Sequence, residues 1–485
     1  MARLACLLWR PPRRGLCSSL PLVLTVCFCG FVLLIWYGMN SDRDYIHPLL
    51  NQLIPAGHCA CQSATIFQCS SCVGCAQSGS VLQQQQPGPS SSNWRFRYDV
   101  DSGNEGLDRE QCKTAFAGLF EDVDRAVKYW QLRGHPLTSA DLDQIYLEYG
   151  MARAWISGGE LYVMATRARN EDHRRKILAV LSAIHRALVA DGDRRSRDIE
   201  FVFSVEDKVE DVTGPERPVW VFSRTALEEA VWLMPDFGFW AWNNPQNPIG
   251  PYDQVVEQIQ RSEVPWAEKL PQLVWRGKPS FAPKLRRALL EAARGKPWGD
   301  VKQVDWYGRA NILRMEDHCK YMFIAHVEGT FSLPHFCLFY GSMANCLGRS
   351  YSASLKYRQA CSSVIVAHRL QFIQHHHYLL VSSGPNQNFV EVERDFSDLA
   401  EKLEPLVHDP VAANRIADNS VRTFRERYLT KAAESCYWRA LFDGYARVWD
   451  TSSQNHHDPR QRALRYESFV LLESSQMMKF TAAGS

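Results

Sequence analysis

The pattern of apolar and polar positions divides the chain into an apolar run, a patternless polar stretch and a long periodic region. Leu20 to Tyr37, LPLVLTVCFCGFVLLIWY, is almost wholly apolar. About 20 such residues span a bilayer, so residues 20–38 predict a transmembrane signal anchor after a short tail, 1–19. Residues 39–105 lose the pattern. They carry VLQQQQPGPSSSN (81–93), a low-complexity run that buries no core and reads as a stem. Periodicity resumes near Leu107. Phe116, Leu119, Phe120, Val123 and Val127 fall at helical spacing within DREQCKTAFAGLFEDVDRAVKYW, and RRKILAVLSAIHRALVAD (174–191) predicts a second helix. Ile199 to Val205 reads as a buried strand ending in Glu206 and Asp207, and PVWVFSR (218–224) as another. This alternation predicts an α/β domain with a parallel sheet over 106–242.

The proline-rich NNPQNPIGPYDQ (243–254) marks a crossing into a second α/β region, 243–450. LVWRG (273–277) and YMFIAHVEG (321–329) read as strands, PKLRRALLEAAR (283–294) as a helix, and SLKYRQACSSVIVAH (354–368) as a helix followed by a strand. SDLAEKLEPLVHD, AANRIADNSVRTFRERYL and ESCYWRALFDGYARVW are amphipathic helices. The tail, 451–485, is polar, with RALRYESFVLLE as a short docking helix.

Charge orients the anchor. Arg3, Arg10, Arg13 and Arg14 precede the apolar run and Asp42 and Asp44 follow it, so the N-terminus is expected in the cytosol and the rest in a lumen. The net charge of +2 gives no case for nucleic acid. Cys59, Cys61, Cys69, Cys72 and Cys75 crowd the stem, and in an oxidising lumen they read as disulfides, with a structural metal as the alternative. Fifteen tryptophans make sugar-stacking platforms conceivable, although core is the commoner use.

The candidate chemistry sits at strand ends. Asp207 closes FVFSVED, where a carboxylate is placed to take a hydroxyl proton. Arg276 and Gly277 end a strand, and suit a phosphate by bidentate pairing and close backbone approach. Glu328 and Gly329 end another. SYSASLK (350–356) reads as a helix start whose serines cap it, a setting that favours a diphosphate. The DxD pairs Asp122–Asp124, Asp141–Asp143 and Asp191–Asp193 read as solvated acids. His375 to His377 read as surface or partly core histidines.

DHCKYMFIAHVEG and RSYSASLKYRQACSSVIVAH, with EFVFSVED (200–207), FGFWAW (237–242) and LVWRGKPS (273–280), resemble glycosyltransferase family 90. The resemblance covers about 107–449. This family includes Rumi-type protein O-glucosyltransferases and fungal capsule-associated xylosyltransferases. It implies a GT-B-like α/β fold, two Rossmann-like domains facing a cleft, here behind an N-terminal transmembrane helix. It implies an inverting transfer of xylose or glucose from a UDP-sugar to a glycan or protein hydroxyl, with no cofactor and no obligatory metal. Asp207 takes the slot of the catalytic base. Arg276, Gly277, Glu328, Gly329, Arg349, Ser350, Tyr351, Ser352, Ser354 and Lys356 take the donor site, and Trp240 and Trp242 the acceptor cleft. The expected location is the Golgi membrane, or the ER, as a single-pass type II protein.

Two features depart from the family. Rumi-type members carry arginine at the position of Ser354. Thr330 to Gly348, TFSLPHFCLFYGSMANCLG, interrupts the family's Glu-Gly to Arg-Ser-Tyr-Ser join. It reads as a translated intron, with a lid loop as the alternative. These departures keep a second reading open, a catalytically silent member that binds or scaffolds. A two-domain receptor is a third, disfavoured because the chain offers no signalling module.

Overall fold

The computed structural model describes residues 59–61, 69–72 and 94–482, except 194–197, 208–213, 243–248, 306–307, 309, 332–347 and 452–462. The chain forms two units, Met1–Ser91 and Ser92–Ser485. In the first, β1 (Cys59–Cys61) pairs antiparallel with β2 (Cys69–Cys72), which sets Cys59 opposite Cys72 and Cys61 opposite Cys69.

The second unit is built on two sheets. β3 (Met151–Ser157) and β4 (Glu160–Arg167) form a hairpin. Its turn is Gly158–Gly159, with φ of 58° and 82°. That left-handed backbone is what a two-residue hairpin turn requires and what glycine adopts without a Cβ penalty. β5 (Ile199–Ser204) adds antiparallel to β3, and β6 (Val219–Val221) and β7 (Trp232–Leu233) follow in parallel. In the second sheet, β8 (Leu270–Gly277), β9 (Gly299–Gln303) and β10 (Tyr321–His326) are joined by parallel pairing. β11 (Gly329–Phe331) and β12 (Gly348–Ser350) make a separate antiparallel pair. β13 (Val364–His368) and β14 (Val390–Val392) complete the parallel sheet in the order β14-β13-β10-β8-β9. β15 (Leu464–Arg465) returns to the outer edge of the first sheet, giving β15-β4-β3-β5-β6-β7.

Helices pack by their apolar faces. α1 (Arg109–Ala115) and α2 (Glu121–Leu132) divide what the spacing predicts as one helix, and Gly118 between them, at φ 84°, turns the chain. α3 (Glu171–Val189) and α4 (Tyr252–Ser262) flank the two sheets, and α5 (Pro283–Ala292) follows β8. The short α6 (Leu355–Gln359) leads into β13. α7 (Lys431–Ala446) runs back to the first sheet and places Tyr437, Trp438, Leu441 and Tyr445 in the same core as Phe201, Trp220 and Trp232. Trp220 lies flat on Phe201 at 4.0 Å. Truncating such a ring in a filled core costs about 3–5 kcal/mol.

The expected fold needs correction. No helix among the described residues is long and apolar enough to cross a membrane, so the expected transmembrane element finds no support in the described fold. The run at 20–38 itself lies outside the described residues. The expected parallel sheet over 106–242 is instead mixed, because the Gly158–Gly159 turn commits β3 and β4 to antiparallel pairing and β5 joins on the same terms. The protein is a mixed α/β fold with two sheets in place of two Rossmann-like domains. The tail carries the expected helix, longer than expected at Tyr466–Ala482, and adds the unexpected strand β15 before it.

Among the described residues two disulfides tie distant segments: Cys112 to Cys436, 324 residues apart, and Cys319 to Cys361. The first joins α1 to α7 and closes nearly the whole unit. Cys112→Ser with Cys436→Ser is expected to lower stability by about 2–5 kcal/mol in denaturant unfolding, and a loss under about 1 kcal/mol would contradict this role.

Candidate active site

β5 is buried throughout, its one charged residue, Glu200, being paired with Arg153, so the first residues able to leave the core are those after it. Glu206 and Asp207 emerge there, at the carboxyl end of the strand, where ligands gather in open α/β sheets. The two acids diverge. Glu206 pairs with His173 Nε2 of α3 at 2.7 Å. Asp207 keeps 42% of its side chain accessible and has Lys176 Nζ at 3.9 Å. Lys176 is held by Asp172 at 3.2 Å and lies over the Phe237 ring. Burial of its surroundings raises the Asp207 carboxyl above the usual range; Lys176 opposes this, and Glu206, Asp172 and Asp236 add to it. A partly desolvated carboxylate with one cation nearby and an open face has the properties of a base.

The other wall comes from the second sheet. β10 is followed by Glu328 and by Gly329, which opens β11 and pairs with Ser350 across the β11–β12 ladder. Ser350 Oγ donates to the backbone carbonyl of Asp207, so the two sheets' strand ends meet here. A Cβ on Gly329 would stand 3.2 Å from the Tyr351 carbonyl and 3.7 Å from Arg286 Nη2. Arg286 of α5 is 9% exposed and donates to the Lys278 carbonyl at 2.9 Å. Arg358 of α6 is 8% exposed, and its partners are neutral: the Ala325 carbonyl at 2.6 Å and His326 Nδ1 at 3.5 Å. Burial lowers Arg286 to about 10 and Arg358 to about 9, and the Arg286 charge lowers Arg358 further. Two guanidiniums crowded in a dry place are stabilised by an anion between them, and their planar donors match phosphate oxygens.

Residues 109–480 match the sequence profile described as Glycosyl transferase family 90. The chain belongs to that family. Among curated relatives, it is similar to Protein O-glucosyltransferase 1 of Rattus norvegicus, 23% identical over 275 residues that cover 52% of this chain and 64% of that protein. It is similar to the Homo sapiens protein of the same name at 23% over 274 residues, 52% of this chain and 63% of that one. The match thus spans a little under two thirds of these relatives' length.

Several residues expected to hold a donor are occupied within this family 90 chain. Arg276 is committed to Asp300, at 2.7 Å, and Tyr321 donates to the same carboxylate at 2.7 Å. Gly277 makes room for Trp275, whose ring atoms would be 2.5 Å from a Cβ there. Glu328 accepts the amides of Gln371 and Phe372 at 2.7 and 2.8 Å and pairs with Arg394 at 2.8 Å, so it fixes the loop after β13. Lys356 Nζ lies 2.6 and 2.8 Å from the two oxygens of Asp236, both side chains 1% exposed. Ser354 makes no cap; its hydroxyl meets Ser352 at 2.9 Å. Tyr351 is buried, and the backbone of Arg349 pairs with Thr330. Trp240 lies half-buried under Arg186, and Trp242 packs on Phe237 and Tyr357.

Among the non-site readings, Asp122 is buried, not solvated, and receives Arg224, Arg125 and Tyr378. His375 and His376 are buried too. Sequence reasoning missed Arg286 and Arg358. The first had a legible signal: Arg286, Leu289 and Ala293 form the buried stripe of α5, and an arginine on an apolar stripe is unusual. The second stands inside the quoted LKY-x-x-x-C motif.

Lys356→Met would leave Asp236 buried and unpaired, and is expected to cost about 3–5 kcal/mol in urea unfolding. Adding Asp236→Leu should recover most of that. A single variant as stable as the parent would contradict the pairing.

Proposed function

We propose that this chain is an inverting glycosyltransferase that moves a sugar, glucose or xylose, from a UDP-sugar to a glycan or protein hydroxyl in the secretory pathway. The observation that carries the reading is the Ser350 bond to the Asp207 backbone carbonyl, which brings the strand end bearing an accessible carboxylate to the β11–β12 ladder that holds Gly329. Family membership supports glycosyl transfer in general, and the relatives' name supports a protein hydroxyl as acceptor. The two disulfides suit an oxidising lumen.

In this reading Asp207 takes the acceptor proton as the acceptor oxygen bonds to the anomeric carbon. The bond from that carbon to the phosphate oxygen breaks on the opposite face, and UDP leaves toward Arg286 and Arg358. Preorganised positive groups stabilise the departing charge, so no metal is required. Lys176 lowers the basicity of Asp207 and keeps it ionised. A silent binding protein is the second reading, favoured by the departure from the family pattern at Thr330 to Gly348.

Asp207→Asn is expected to reduce UDP release in the presence of acceptor by about 10²–10⁴-fold, with UDP affinity nearly unchanged. Retention of more than a small fraction of turnover would remove Asp207 as the base, and a parent enzyme without turnover on any UDP-sugar would favour the silent reading. The raised Asp207 carboxyl places the acid limb of kcat/KM above the ordinary aspartate range, because activity needs the ionised form and falls as it takes up a proton. Lys176→Met should move that limb to higher pH. An unmoved limb would separate Lys176 from the base.

A further inference from the structure

The exit of β5 carries two consecutive acids, and the proposed mechanism uses only the second. The first, Glu206, is fixed from several sides. Its amide donates to Ser204 Oγ at 3.2 Å, and the Val205 amide before it donates to the Gly150 carbonyl at 2.8 Å. Its stem fills the place a side chain would need at Gly150: a Cβ there would stand 2.9 Å from Glu206 Cγ, and Gly150 has φ 86°. Glycine meets both demands at once. The Glu206 carboxylate reaches His173 Nε2 at 2.7 Å, and the His173 side chain is 10% exposed. The Arg169 amide donates to His173 Nδ1 at 3.3 Å, so that nitrogen carries the lone pair and Nε2 carries the proton given to Glu206.

One face of α3 meets both acids. His173 and Lys176 stand three residues apart, hence on the same side of the helix, and they reach Glu206 and Asp207 in turn. The two contacts differ in kind. His173 to Glu206 is a direct hydrogen bond, which fixes direction as well as distance. Lys176 to Asp207, at 3.9 Å, is an attraction between charges without a hydrogen bond, and it leaves the carboxylate free to turn. The placement of Asp207 against α3 therefore depends on its neighbour. We infer that Glu206 and His173 are positioning residues for the proposed base: their hydrogen bond holds the exit of β5 on α3, directs the Glu206 carboxylate to His173 and leaves the Asp207 carboxylate within reach of Lys176. The inference rests on the reading of Asp207 as the base and goes beyond it by giving the second acid a task.

The charged and titratable groups facing Asp207 are Lys176 and Asp172 of α3, Glu206 beside it, Asp236 after β7 and Tyr351 after β12. Those facing Glu206 are His173 and Lys176. Burial is the largest influence on the Asp207 carboxyl and raises it; Lys176 lowers it, and Glu206 raises it. Two variants are therefore expected to act in opposite directions. Glu206→Gln keeps an oxygen for the His173 proton and removes a like charge, so the Asp207 carboxyl titrates at lower pH. His173→Phe breaks the tie, which frees Glu206 to turn toward Asp207 and the strand exit to move off Lys176. Both changes raise the carboxyl, so it titrates at higher pH.

Carboxyl carbon NMR on the full chain with labelled aspartate tests this without any need for turnover. The Asp207 signal is identified by its loss in Asp207→Asn, and the expected result is the pair of opposite titration shifts. A residue that contributed only stability would move neither. UDP release from UDP-glucose or UDP-xylose across pH gives a second readout. His173→Phe is expected to lower kcat by about tenfold with KM for the UDP-sugar near the parent's, since misplacing a reacting group by about 1 Å can cost about 10²-fold. His173→Gln, which restores an N–H donor, should recover most of that loss. Glu206→Gln should keep kcat near the parent's, with the acid limb at lower pH. An Asp207 signal unmoved in both variants would overturn the inference. So would a Glu206→Gln enzyme as inactive as Asp207→Asn, which would put Glu206 on the reacting atoms. Turnover retained by Asp207→Asn is a different failure: it removes the base, while the titration shifts still decide whether Glu206 and His173 hold this acid.

Discussion

The buried ion pair of Lys356 and Asp236 ties the end of the first sheet to the segment that leaves the second. Asp236 follows the last strand of the first sheet, and Lys356 follows the hairpin that leaves the second. Both charges are out of water, so each is tolerable only while the other is in place. Four further bonds hang on the pair: Asp236 accepts the Gly238 amide, Lys356 donates to the Ala353 carbonyl, and Tyr357, beside Lys356, donates to the carbonyls of Gly238 and Gly250. The segment 350–357 is thereby fixed against the first sheet. Ser350 then reaches the Asp207 carbonyl, and the strand ends of both sheets share one crevice.

The charged residues around that crevice divide by what they touch. Asp122 with Arg224, Arg276 with Asp300, and Glu328 with Arg394 are matched within the protein and hold loops. Asp207 remains accessible with one cation at 3.9 Å, and Arg358 contacts only neutral acceptors. Matched pairs organise the fold. The incompletely matched groups are the ones with capacity for a substrate.

Local pattern carried much of the fold. The run Ile199–Ser204, apolar but for Glu200 and Ser204, is legible as a buried strand, and the acids that follow it are legible as its exit. The hairpin Met151–Arg167 also had a signal, alternation around Gly-Gly, which went unread; with it the mixed first sheet would have been visible. What local pattern cannot carry is partnership across long separations. Asp122 looks like a solvated helix acid until Arg224, 102 residues on, is placed against it. Arg276 looks like a free phosphate ligand until β9 brings Asp300 alongside. Lys356 is recognisable by motif, but its burial depends on Asp236, 120 residues earlier.

A crystal structure of the protein with UDP bears most directly on the shared crevice. The diphosphate is expected within hydrogen-bonding distance of Arg286 and Arg358, with its leaving oxygen directed toward Asp207. Density for UDP elsewhere, with Arg358 still bonded only to Ala325 and His326 and Asp207 facing empty solvent, would contradict it.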